Sequence, residues 1–73
     1  MNKPFLIVNL VDGKLGVIRQ RDNFKGAVDI AVQMASEQCD VPEVEIREEI
    51  ETDTDFISPN GDIQVCIAQA EDD

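Results

Sequence analysis

Glu51, Asp53, Asp55 and Asp62 come nearest to a metal site in type and spacing, because the first three recur at alternate positions, as the oxygen ligands of a calcium-binding loop do. The pattern goes no further. Phe56 stands where such a loop needs its sharp-turn glycine, Asp62 replaces the bidentate Glu that closes it, and β-rich residues follow instead of a helix. These four residues define a weak divalent-cation site as one expectation, and no cofactor is implied.

Catalytic chemistry has less support. The chain has no His and no Tyr, so the commonest general base is absent, and Ser36 and Ser58 have no evident activating partner. Carboxylates alone would need a desolvated cleft to shift their proton affinities, and 73 residues leave little room for one. The chain is therefore read as a non-enzyme. Cys39 and Cys66 are far apart and form no CxxC pair, which reads as two reduced thiols in a reducing cytoplasm.

Charge is the most informative property. Residues 1–36 hold three acidic and five basic side chains, and residues 37–73 hold thirteen acidic against Arg47 alone, so the halves carry +2 and −12 of the net −10. Lys14, Arg19, Arg21 and Lys25 could form a basic patch, but four cations on an acidic body with no Tyr or Trp to stack on bases argue against direct nucleic-acid binding. No run approaches the roughly 20 apolar residues of a membrane span, and Asn9 and Asp12 interrupt the apolar start that would otherwise suggest a secretory signal.

The elements that would position these groups follow from periodicity. Phe5–Val11 and Lys14–Gln20 are β-rich runs separated by Asp12-Gly13, a dipeptide suited to a type I′ turn. A two-residue turn sets Leu10 opposite Leu15 and Val8 opposite Val17 on one face, with Ile7 opposite Ile18 on the other. Both faces are then apolar, so something besides one helix must cover the second. Asp22-Asn23 offers the cap of a helix over 23–38, whose apolar side is Phe24, Ala27, Ala31, Met34 and Ala35, flanked by Val28 and Ile30, and whose polar stripe is Lys25, Asp29, Gln33 and Glu37.

Residues 42–51 read either as a short helix burying Ile46 and Ile50 or as a strand alternating with glutamates. Asp40 with Glu43 at capping-box spacing and a Glu43–Arg47 pair favour the helix. A second hairpin over 55–68 turns at Asn60-Gly61, with Phe56 opposite Val65, a core side of Ile63, Val65 and Ile67, and Gln64 and Cys66 pointing away. The tail Ala70–Asp73 reads as frayed. The expected architecture is one small α+β domain over 1–73, a four-stranded antiparallel sheet from hairpins 5–20 and 55–68 with the helix 23–38 across one face.

From Glu43 to Asp55 there are seven carboxylates, Glu43, Glu45, Glu48, Glu49, Glu51, Asp53 and Asp55, on a segment whose apolar residues tie it to the core. Displayed on a rigid element, they suit a basic protein surface, and their charge spacing can imitate a phosphate backbone. The leading expectation is an acidic protein-binding module, in its sharpest form a nucleic-acid-mimicking inhibitor. A different class is a structural protein that homodimerises through the hairpin face bearing Ile7 and Ile18, or else Val8 and Val17. In size, acidity and layout the chain is similar in kind to small phage- or plasmid-encoded inhibitors, though no motif carries that likeness and no functional residue transfers with it.

Overall fold

Asp12 and Gly13 both take positive φ, 54° and 77°, and this left-handed pair makes the tight turn from which the first hairpin grows. In a computed structural model that describes residues 4–69, the elements are β1 (Phe5–Val11), β2 (Lys14–Arg21), α1 (Phe24–Gln38), α2 (Glu43–Asp53), β3 (Asp55–Ile57) and β4 (Ile63–Gln69). The strands form one antiparallel sheet in the order β2-β1-β4-β3, an α+β arrangement. Met1–Lys3 and the tail Ala70–Asp73, expected to be frayed, lie outside the described residues.

Only the first two pairs of the hairpin follow the simple register. Leu10 faces Leu15 and Val11 faces Lys14, but the pairing then shifts, so that Asn9 faces Val17, Val8 faces Ile18 and Ile7 faces Arg19. Gly16 is the extra residue of a β-bulge. A side chain there would place its Cβ 3.2 Å from the Asn9 carbonyl oxygen, a tight approach that glycine avoids. The bulge corrects both expected pairs, Val8 with Val17 and Ile7 with Ile18. It puts Ile7 and Ile18 on opposite faces of the sheet, and Ile7, 0% exposed, belongs to the core rather than to an accessible dimer face.

One sheet face carries both helices. Ile7, Phe56, Ile63, Val65 and Ile67 point toward Ala27, Val28, Ala31, Val32 and Ala35 of α1 and Ile46 and Ile50 of α2, all buried. The alanines let α1 lie close to the sheet, and Asn23 caps it by accepting the Gly26 N–H at Oδ1, 2.7 Å away. α1 packs against α2 as well as the sheet, and Val32 also joins the buried stripe. Phe24, expected within it, is 37% exposed and meets Phe5 edge to face at 5.7 Å.

Asn9 is the polar exception, 4% exposed on the core side of β1. It donates to the Gln64 carbonyl at 3.2 Å and accepts from Gln38 Nε2 at 2.9 Å, so its burial leaves no orphan group and ties β1 to β4 and to the end of α1.

The segment after Pro42 is a helix, and it runs two residues further than the expected end at Glu51. No capping box forms: Pro42 is the N-cap residue and contributes no side-chain hydrogen bond, so Asp40 does not serve as a cap. Glu43 and Glu45 in the first turn suit the positive end of the helix dipole instead. Thr54 closes the other end in the left-handed region, φ 57°, donating its N–H to Ile50 O at 2.8 Å and accepting from Ile67 N at 2.8 Å. A β-branched residue there is strained, and those two bonds hold it in place.

The β3–β4 connection corrects another expectation. Pro59 presets the second position of a Ser58–Gly61 turn, Gly61 N–H donates to Ser58 O at 2.9 Å, and Gly61 alone in this loop takes positive φ. Asn-Gly therefore does not form the two-residue type I′ loop. Phe56 nonetheless faces Val65. Ser58 is 4% exposed and structural, its Oγ donating to Asn60 Oδ1 at 2.7 Å and accepting from Ile63 N at 3.1 Å.

Among the described residues no helix covers the opposite sheet face. It presents Leu6, Val8 and Leu10 of β1, Leu15, Ile18 and Gln20 of β2, Gln64, Cys66 and Ala68 of β4, and Asp55 and Ile57 of β3. Among the described residues no helix is long and apolar enough to cross a membrane.

Candidate functional site

Ile46 and Ile50, both 0% exposed, are one turn apart and fix how α2 sits on the core. That anchoring decides where its carboxylates go. Glu45, Glu49 and Asp53 follow one another at intervals of four along one flank, about 6 Å apart along the axis, with Glu48 beside them. These four line a shallow groove of about 570 Å³ whose apolar wall is Val41, Phe56, Ile57 and Pro59. Among the described residues no basic side chain lines it.

The remaining three of the seven carboxylates lie elsewhere. Glu43 and Glu51 flank Arg47 on the side of α2 toward α1, and Arg47 reaches across to Asp29 Oδ1 at 2.9 Å instead of pairing with Glu43. With the partners 42% and 53% exposed, that ion pair is worth about 0–1 kcal/mol and acts mainly to orient the guanidinium. Asp55 sits on the open sheet face and accepts a bond from Gln64 Nε2 at 3.1 Å.

The expected cation site does not assemble. Glu51 is on the α1 side of α2, Asp53 on the groove side, Asp55 on the sheet and Asp62 beyond the β3–β4 turn. Among the described residues no three His, Cys, Asp or Glu side chains gather as a metal site. The helix end between Glu51 and Asp55 is what separates them.

The charge split is also spatial. Sheet order places β2, with Lys14, Arg19 and Arg21, at one edge and β3, next to α2, at the other. Arg19 and Arg21 share the helix-side parity of Ile7 and Phe5, and Lys25 lies in the first turn of α1 nearby. These four basic residues thus lie at the end of the molecule opposite the groove.

Cys39 and Cys66 are unbonded, one at the end of α1 and the other on the open sheet face. Burial pushes the Cys66 thiol up from its ordinary value of 9.0, and Asp55 adds to the effect. A thiol so placed stays protonated and is a poor nucleophile.

Sequence reasoning missed the apolar wall of the groove. Phe56 was legible only as core, and Val41 and Pro59 reach the groove by tertiary placement. The spacing of Glu45, Glu49 and Asp53 was the available signal. Comparison of the chain with protein-family models, with curated proteins and with solved structures finds no match.

Proposed function

We propose that this chain is a non-enzymatic protein-binding module that holds a basic segment of another protein along the acidic flank of α2. The observation that carries the reading is the convergence of Glu45, Glu48, Glu49 and Asp53 on one groove with an apolar wall and, among the described residues, no cation of its own. Such a groove suits a partner strand or helix in which Lys or Arg alternates with an apolar anchor, the charges steering encounter and the apolar contact retaining the complex. A nucleic-acid-binding protein is the natural class of partner, since its surface is already adapted to a regular row of negative charge. The chain would then occupy that surface and inhibit it.

The test is capture of partners from lysate at low and high salt by the wild type and by a variant with Glu45, Glu48, Glu49 and Asp53 changed to Lys. Capture of basic proteins that is strong at low salt, lost at high salt and absent with the folded variant supports the reading. Salt-insensitive capture, or capture the variant retains, rejects it.

A further inference from the structure

We infer that the groove takes its basic partner segment as an extended chain, added as a further strand to the free edge of β3. This deepens the reading of the groove as a binding site and rests on it. β3 stands at the end of the strand order, so among the described residues it pairs with β4 alone. Thr54 O accepts from Ile67 N and Ser58 N donates to Ile63 O, both at 2.8 Å, and Phe56 faces Val65, so these alternate residues direct their backbone groups to β4. Backbone groups alternate sides along a strand, and Asp55 and Ile57 therefore turn their N–H and C=O to the outer edge. Among the described residues no hydrogen bond takes these groups up.

That edge opens into the groove, because Phe56 and Ile57 line it together with the four carboxylates of α2. Thr54 joins the end of α2 to the start of β3, and Val41, which precedes α2, lines the same groove as Pro59, which follows β3, so the strand runs back beside the helix. In a strand added there, every second side chain projects to the helix side, at a repeat of about 6.6 Å, and Glu45, Glu49 and Asp53 recur at about 6 Å along α2. Lys or Arg at alternate positions therefore keeps step with the carboxylates. The intervening residues fall beside Ile57, which is 54% exposed on the other face and suits apolar side chains.

Charge selects this edge over the one at β2. Lys14, Arg19 and Arg21 on β2 repel a basic segment, and the bulge at Gly16 interrupts the regular strand. At three residues, β3 is too short to hold a strand through its edge alone. Binding there needs the backbone bonds and the carboxylates together, and so selects an extended segment in which basic and apolar residues alternate.

Titration of the full chain with a short synthetic peptide of alternating Arg and Val tests the inference. N-methylation of the Val amides in one peptide, and of the Arg amides in another, removes the donors of one edge or the other without changing charge. One of the two should bind at least about tenfold more weakly than the parent and the other nearly as well, since only one edge faces β3. In the parent complex hydrogen exchange should slow at the Asp55 and Ile57 amides and stay unchanged along β2. Ile57→Pro, which removes an N–H that the fold leaves unpaired, should weaken the parent peptide by a similar factor. Equal binding by the two methylated peptides, or unchanged exchange at Asp55 and Ile57 in the saturated complex, overturns the added strand; if charge reversal of Glu45, Glu48 and Glu49 still abolishes that binding, the groove reading stands without it. A parent peptide that does not bind at low salt rejects both.

Discussion

The helix α2 carries six carboxylates in eleven residues, whereas the open face of the sheet carries one charge among the eleven strand residues that form it. Both surfaces are attached to the same core, through Ile46 and Ile50 in one case and through the alternate residues of β1 and β4 in the other. A helix touching the core through a narrow stripe leaves most of its circumference free for charge, while a strand must give every second residue to the opposite face. The charged fraction of 30% therefore averages two unlike surfaces. One acts at a distance and in a salt-dependent way, and the other acts only on contact.

The most severe way to break this contrast is to loosen the anchor of α2. Ile50→Ala removes a fully buried side chain and should cost about 3–4 kcal/mol, a large share of the stability of so small a domain. Chemical denaturation would show the lowered midpoint, and the carboxylates of α2 would lose their fixed spacing with it. An unchanged midpoint would mean that α2 is not held through Ile50.

A smaller effect probes the uncharged face. Because the folded state raises the Cys66 thiol above 9.0, that contribution to stability is complete below 9.0 and is lost as pH rises through the higher folded value. Thermal unfolding between neutral and alkaline pH should show this loss, and Cys66→Ala should flatten it. Equal slopes in both proteins would contradict the assignment.

Much of this contrast could be read from residue order. Asp12-Gly13 announced its turn, Ile46 and Ile50 at helical spacing announced the face that α2 buries, and Ile63, Val65 and Ile67 announced the core side of β4. Three features escaped, each for a tertiary reason. Gly16 looks like any strand glycine until its approach to the Asn9 carbonyl is known, and the bulge it permits sends Ile18 to the face opposite Ile7. Arg47 has a local partner in Glu43, yet it pairs with Asp29 because α1 lies alongside. Four of the seven carboxylates reach the groove, and its wall is supplied by β3 packed against α2 together with Val41 and Pro59 from the flanking loops.

The central claim is that the groove, rather than the bulk charge, does the binding. Its most direct measurement is the affinity of one Arg- and Leu-containing probe peptide, by titration calorimetry at fixed low salt, for two variants of equal net charge. One changes Glu45, Glu48 and Glu49 to Lys, and the other changes Glu37, Glu43 and Glu51 to Lys. Loss of binding in the first with near wild-type affinity in the second is the predicted result, and equal weakening in both would contradict it.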